Sequence, residues 1–193
     1  IGGSFTAIAG SIKYSIAHIL ANGTVDPVFN PNANGTVYAL SLDDSGNLYV
    51  GGGFSTIGGQ ARNCIAKLNT TTGSVDLTFN PIASAPVYTI CLDGGGNIYA
   101  GGNFTTIGGQ ARNYIAKLNT TTGSSDLMFN PNASGDIRKI IIDAGGNIYA
   151  GGDFTTIGGQ SRNRIAKLNT TDGSADGTFN PNANASVYAL SLD

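Results

Sequence analysis

Three stretches of this chain are nearly the same text. Gly101–Ser124 reads GGNFTTIGGQARNYIAKLNTTTGS, and fifty residues later Gly151–Ser174 reads GGDFTTIGGQSRNRIAKLNTTDGS, with four of 24 positions changed. Gly51–Ser74 reads GGGFSTIGGQARNCIAKLNTTTGS. Phe54, Phe104 and Phe154 stand in phase, as do Phe79, Phe129 and Phe179. A drifted first copy runs from Phe5 to Phe29, one residue shorter than Phe54 to Phe79. A fixed period of about 50 residues confines the fold to architectures built from one supersecondary unit used repeatedly.

Each unit breaks into short extended pieces. VYALSL (Val37–Leu42) alternates Val, Ala and Ser on one face with Tyr, Leu and Leu on the other. NLYVGG (Asn47–Gly52) follows the turn DDSG, NCIAKLN (Asn63–Asn69) follows the loop TIGGQAR, and a last extended piece is expected over VDLTFN (Val75–Asn80). Short β-branched and aromatic runs between Gly, Asn, Asp and Pro read as strands. No window carries a useful 3.6-residue apolar stripe, and glycine every few residues would penalise a helix by about 1 kcal/mol each. One sheet of three or four strands cannot hide both faces alone. Stacking such sheets around an axis hides both, which is a β-propeller; a β-helix would use much shorter coils.

The expected fold is therefore all-β, a propeller of four blades forming a single domain over 1–193. Its units run approximately 1–43, 44–93, 94–143 and 144–193. Ile1–Phe5 matches the close of the NIYAGGNF strand, and Ser186–Asp193 matches the strand that precedes it. Pairing of the N-terminal segment with the C-terminal strand would close the ring. The alternatives are that the chain is part of a larger propeller, or that two copies combine into one.

The strand-turn-strand VYALSLDDSGNLYVGGGF and the run RNCIAKLNTTTGSVDLTFN resemble the delta-60 repeat family of bacterial secreted and surface proteins. In that family an aliphatic strand leads to an Asp/Gly turn and a strand ending in Gly-Gly. An Arg-aliphatic-Leu-Asn run, a Gly-Ser-x-Asp turn and a Phe follow. The resemblance covers nearly the whole chain and departs from the family in its shorter period and in the Asn-Pro after Phe. It implies a propeller in a secreted or surface protein; a fold by itself does not specify function.

The loop TIGGQARN is the first candidate contact surface. It offers Gln60, Arg62 and Asn63, repeated as Gln110, Arg112, Asn113 and as Gln160, Arg162, Asn163. Three copies at regular angles on one rim suit a multivalent, repetitive ligand such as a glycan; a plain hairpin loop is the competing reading. Arg138 and Lys139 stand where other units have Tyr38/Ala39, Tyr88/Thr89 and Tyr188/Ala189, and are candidates for a channel-lining anion site or a solvated edge. Asp76, Asp126 and Asp176, with Asp26, are each matched within the unit by Arg62, Arg112, Arg162 or Lys13, as ion pairs or as caps of their own turns. Asp43, Asp93 and Asp143 read as turn residues, since calcium needs six to eight oxygens and each turn offers one or two carboxylates. Phe29, Phe79, Phe129 and Phe179 read as blade-to-blade anchors.

Composition narrows the function. Charged residues are 11% and the formal net charge is −2, so there is no basic surplus for nucleic acid. No apolar run is long enough to span a bilayer as a helix, so membrane insertion is not expected. Few charges among 29 glycines and abundant Asn, Thr and Ser point to an extracellular or cell-surface protein. Cys64 and Cys91 occupy different positions of the repeat and are expected as free thiols. The eight Asn-x-Ser/Thr sequons are read as a consequence of composition. His18 is the only histidine and replaces Lys67, Lys117 and Lys167. No nucleophile–base or metal-ligand pattern is visible, so no enzyme, cofactor or metal is expected. The functional expectation is a structural, adhesive or protein-interaction module, partnered by protein or by itself. The alternative is a lectin-like propeller.

Overall fold

The strand and turn text of each unit becomes antiparallel hairpins in the computed structural model, which describes residues 1–193. The first unit contributes a small hairpin, β1 (Ala7–Ile8) and β2 (Ser11–Ile12). Then come β3 (Val37–Leu42), β4 (Asn47–Gly52), a small hairpin β5 (Thr56–Ile57) and β6 (Gln60–Ala61), and β7 (Ile65–Asn69). The pattern repeats as β8 (Val87–Leu92), β9 (Asn97–Gly102), β10 (Thr106–Ile107), β11 (Gln110–Ala111) and β12 (Ile115–Asn119). It repeats again as β13 (Ile137–Ile142), β14 (Ile148–Gly152), β15 (Thr156–Ile157), β16 (Gln160–Ser161) and β17 (Ile165–Leu168). The sheets are ordered β3-β4-β7, β8-β9-β12 and β13-β14-β17. Each sheet therefore straddles the text boundaries near 43, 93 and 143, because the Asp-Gly turn lies inside its first hairpin.

Local chemistry explains the turns. The Asp43 carboxylate accepts from the N–H groups of Ser45 (3.0 Å) and Asn47 (2.9 Å), and the Tyr49 hydroxyl donates to it at 3.2 Å. This carboxylate is thus spent on its turn. Gly58 and Gly59 both have positive φ, 57° and 72°, which is the backbone of a primed two-residue hairpin turn and closes β5 on β6. The expected strand over Val75–Asn80 shrinks to a single bridge, Leu68 to Val75, repeated as Leu118 to Ser125 and Leu168 to Ala175. Beyond that bridge Asp76 bends the chain by binding the N–H of Thr78 at 2.9 Å.

The simple alternation expected for VYALSL does not hold. Val37 pairs with Gly52 but Ala39 pairs with Gly51, so Tyr38 is the extra residue of a β-bulge. The same irregularity recurs at Tyr88 and Arg138. A bulge advances the side-chain phase by one residue. Val87 and Ile90, or Ile137 and Ile140, consequently enter one core together.

The cores lie between sheets. Tyr49, Ile65 and Phe79, in and after the sheet β3-β4-β7, are buried with Val87, Ile98, Phe104 and Leu118, in and around the next sheet. Tyr99, Ile115 and Phe129 pack likewise with Ile137, Ile148, Phe154 and Leu168. Phe79 and Phe129 are fully buried, each edge-on to a tyrosine at 5.5 and 5.3 Å, while Phe179 at the far side is only partly covered. Burying such a ring is worth roughly 2–3 kcal/mol, so neighbouring sheets stabilise one another. Hydrogen bonds reinforce the contact. The Tyr49 hydroxyl donates to the Thr120 carbonyl at 3.3 Å, and the Ile140 N–H donates to Thr89 Oγ1 at 3.2 Å.

The two end segments take up their places in the stack without meeting. Val37 donates to the Gly3 carbonyl at 2.9 Å, and Val187 donates to the Gly152 carbonyl at 3.2 Å. Ser186–Asp193 thus lies where a first strand begins, and Ile1–Phe5 where a second strand ends. No strand pair joins them, and Tyr188 is 68% and Ile1 51% exposed. The expected closure by pairing of the ends is not formed, because each end is bonded only to its own neighbouring sheet.

Candidate functional site

Along one rim, three segments of every unit converge. They are the residue after Gly-Gly, the exit of the small hairpin, and the loop after Asn-Pro. In the first unit they enclose a groove of about 490 Å³ lined by Ser4, Phe5, Tyr14, Ser15 and Asn32 to Thr36. One unit on, Gly53, Phe54, Asn63, Cys64 and Ala83 to Pro86 enclose about 470 Å³. The two grooves are the same place one repeat apart.

A residue in the left-handed region stands in the wall of each unit: Ser15 (φ 62°), Cys64 (63°), Tyr114 (66°) and Arg164 (65°). Serine, cysteine, tyrosine and arginine gain nothing from that conformation, which is uncommon outside Gly, Asn and Asp. It is enforced by the backbone. Cys64 N–H donates to the Phe54 carbonyl at 2.8 Å, and the Cys64 carbonyl accepts from Gly52 at 2.9 Å. Tyr114 and Arg164 repeat the bond to Phe104 and Phe154 at 2.8 and 3.0 Å. Local strain of this kind persists only where surrounding structure dictates it. It places Ser15 and Cys64 at the walls of these two grooves, and Tyr114 and Arg164 at the matching positions of the next two units.

The residues of the TIGGQARN loop are not brought together. Gln60, Gln110 and Gln160 are exposed on the small hairpin. Arg62, Arg112 and Arg162 turn inward and are each 6% exposed. Asn63 lines the groove, and Asn113 and Asn163 donate across it to Asn132 and Asn182 at 2.8 and 2.6 Å. The strand ends at Ala61 and the chain bends at Asn63 and Cys64, so the triplet separates. Only the asparagine belongs to the groove.

The expected Arg–Asp choice resolves into caps. Arg62 Nη1 and Nη2 donate to the main-chain carbonyls of Ala61 (2.8 Å) and Asp76 (3.0 Å), and Lys13 Nζ reaches the Phe29 carbonyl at 2.7 Å. The carboxylates face elsewhere. Burial pushes Asp76 up, but the Thr78 hydroxyl and amide with Lys67, at 3.2 Å, outweigh it and hold the group at about 2. The Thr178 hydroxyl and amide hold Asp176 at about 2 as well.

Arg138 is likewise not free for an anion. It stands at the bulge position, with Tyr38, Tyr88 and Tyr188 at the same place in other units. Tyr38 and Tyr88 meet edge-to-face at 5.4 Å, and the Arg138 guanidinium lies 4.8 Å from the Tyr88 centroid and 6.0 Å from that of Tyr188. Its Nε donates to Asp153 Oδ2 at 2.9 Å and its Nη2 approaches Asp136 Oδ2 at 3.0 Å. Asn103 donates to Asp136 at 2.7 Å. The result is a row of rings interrupted by one neutralised cation. Sequence reasoning missed Asp136 and Asp153. The signal was present, because this is the hairpin whose Tyr becomes Arg while the positions just before and just after it become Asp. Lys139, half-buried opposite Gly151, makes no ion pair.

The remaining reactive groups are spent or screened. His18 Nδ1 is 2.9 Å from Asp26 Oδ2, as Lys67 is to Asp76. Cys64 and Cys91 are free thiols, and burial pushes both up. No helix is long and apolar enough to cross a membrane.

No curated protein matches the sequence. The WD40 beta-propeller domain of Doa1 superposes with a TM-score of 0.60 at 16% identity, over 88% of this chain and 48% of that one. The chain thus spans about half the length of that propeller. The extracellular domain of the one-component system BT4673 from B. thetaiotaomicron gives a TM-score of 0.47 at 18% identity, over 91% of this chain and 19% of that one. A family model described as "Domain of unknown function (DUF5122) beta-propeller" matches residues 44–79, 96–129 and 146–179, more than half of the chain. Its three matches fall on the three units of the 50-residue period, and the chain belongs to the DUF5122 beta-propeller family.

Proposed function

We propose that the chain is a non-enzymatic interaction module of an extracellular or cell-surface protein, binding a protein partner along its grooved rim in a structural or adhesive role. The observation that supports this is where the units differ. Around the grooves, position by position, stand Gly53, Asn103, Asp153; Cys64, Tyr114, Arg164; Pro86, Asp136, Ser186; and Tyr88, Arg138, Tyr188. The frame beneath them, Gly-Gly, Phe and Ala, does not change. A polymer of identical sugars would be met by identical sites. A row of unlike side chains on a constant frame matches an irregular surface, which is what a folded protein presents. The four units form an arc of a larger ring, in keeping with the 48% of a solved propeller that they cover. The resemblance to delta-60 repeats of secreted bacterial proteins and the sparse charge support this location.

A lectin-like reading rests on one feature, the identical exposed Gln60, Gln110 and Gln160 on identical hairpins. One experiment separates the two. A photo-crosslinking amino acid is placed at Tyr114 in the groove or at Gln110 on the hairpin, in cells that make the protein. A discrete protein adduct from position 114 and none from 110 is the expected result. Adducts at neither position, together with glycan-array binding lost in the triple Gln→Ala variant, would replace the protein reading with the lectin one.

A further inference from the structure

Repetition supplies an internal reference for every groove. In two successive repeats the chain's own side chains close the rim. Asn103 donates to Asp136 at 2.7 Å, Asp153 accepts from Arg138 at 2.9 Å, and Asn113 and Asn163 donate to Asn132 and Asn182. In the groove of Gly53, Asn63 and Ala83 to Pro86 each of these closures is missing. Gly53 replaces Asn103 and Asp153, Pro86 replaces Asp136, and Ile82 replaces Asn132 and Asn182. A Cβ on Gly53 would lie 3.6 Å from the Tyr38 ring and 3.8 Å from Pro86 Cγ, ordinary contact distances, so a side chain fits there and none is present. Asn63, with no asparagine opposite, is exposed, whereas Asn113 and Asn163 are half-buried. Ile82 is 54% exposed and has φ 50°, the left-handed backbone that Asn132 and Asn182 share. Asparagine tolerates that conformation and a β-branched residue does not. Such strain collects at sites of ligand contact, and packing gives no reason for an exposed isoleucine here.

The lining selects the occupant. It holds no charged side chain, so an ionic segment gains nothing there. Its main-chain donors are spent: the N–H groups of Gly53, Cys64, Ala83 and Ser84 go to the carbonyls of Thr36, Phe54, Asn63 and Thr106 at 2.8, 2.8, 3.2 and 3.0 Å. Pro86 has no N–H. A ligand therefore cannot add as a further strand. What remains is the edge-to-face pair Tyr38 and Tyr88 at 5.4 Å, the Pro86 ring, Ile82 and the Asn63 carboxamide. Rings with an isolated donor suit a polyproline II segment, which presents pyrrolidine rings and leaves its own carbonyls unbonded. We propose that this groove binds a proline-bearing extended segment of the partner protein, with one proline ring in the notch at Gly53 between Tyr38 and Pro86 and a segment carbonyl accepting from Asn63 Nδ2. The inference rests on the protein-binding reading of the rim and names the ligand of one groove.

The test follows amide chemical shifts of the isotope-labelled chain as a capped decaproline peptide is added, with a capped Gly-Ser decapeptide as control. Saturable shifts at Gly53, Asn63 and Ile82–Ala85 with decaproline alone are expected, and none at Asn103, Asn113 or Asn132 in the next groove. Gly53→Asn, which installs the neighbouring repeat's residue, is expected to weaken binding about tenfold, the worth of roughly one buried side chain. Ile82→Asn should weaken it too while raising the melting temperature, because asparagine accepts the backbone at that position; a raised melting temperature separates lost binding from lost folding. No shift with decaproline, equal shifts in both grooves, or undiminished binding by Gly53→Asn would overturn the proposal, as would cellohexaose shifting the same amides in place of decaproline. A protein adduct at Tyr114 found alongside any of these results leaves the reading of the rim in place and overturns this inference alone.

Discussion

The guanidinium of Arg138 lies over the ring of Tyr88, 4.8 Å from its centroid, while its edge is bonded to Asp153. Face and edge are thus used at once, which a planar cation allows and an ammonium does not. The charge that interrupts the tyrosine row is absorbed by two carboxylates, Asp136 and Asp153, that flank its own hairpin β13–β14. It joins neighbouring units in place of a ring.

Replacing this residue separates its two roles. Arg138→Ala is expected to cost about 1.5–3 kcal/mol, the range for hydrogen bonds to charged groups. Arg138→Tyr keeps the row and should lose less. In both, Asp153 should titrate higher. Burial pushes that carboxyl up, and at present Ser186 and Arg138 outweigh it. Urea unfolding and carboxyl NMR titration measure the two effects.

The buried arginines should tolerate lysine and reject an apolar residue. Arg112 Nη2 donates to the Asp126 and Leu127 carbonyls at 2.8 and 3.2 Å. Arg112→Met removes these bonds, leaving the part-buried carbonyls unpaired, and is expected to cost about 2 kcal/mol. Arg112→Lys should cost less than half as much, since Lys13, at the same place in the first unit, caps a main-chain carbonyl of the same turn, that of Phe29, at 2.7 Å. Thermal or urea unfolding of the two variants decides it.

Acid should weaken the stack in a defined window. Asp76 and Asp176 are held at about 2, below the ordinary value of 3.8. A depressed carboxylate stabilises the fold fully above its unfolded value, and that contribution is lost as pH falls through the folded one. Stability should therefore drop between about pH 4 and pH 2. Asp176→Asn should flatten part of that drop in urea titrations across the range.

The Gly-Gly strand ends should not accept a side chain where neighbouring backbone approaches. A Cβ on Gly102 would collide with the Pro86 carbonyl, whereas one on Gly177 would meet nothing within 4 Å. Gly102→Ala is expected to lower stability by about 1–3 kcal/mol, the usual cost of overpacking. Gly177→Ala should change it by less than about 0.5 kcal/mol, as surface substitutions do. Melting temperatures of the pair give the comparison.

Much of the molecule was legible before any coordinates. The 50-residue period, the strands VYALSL and NLYVGG, the Asp-Gly turns and the role of Phe79 and Phe129 follow from patterns read within a few residues. The Val75–Asn80 strand was overread, because Asp76 binds the amide of Thr78 and ends pairing after one bridge. The candidate site was legible in position only. Asn63 proved to line the groove, while Arg62 turned into the interior and Gln60 stayed exposed on the small hairpin.

The amino-acid sequence by itself determined the repeat, the all-β class and the turn chemistry, since these depend on side-chain periodicity and on hydrogen bonds between near neighbours. Tertiary structure alone decided which groups meet across units. The bulge at Tyr38 shifted the phase of the first strand, the stacking of sheets put Arg138 over Tyr88, and neither end segment reached the other. Such contacts join residues about 50 positions apart, and their geometry is set by how one sheet rests on the next.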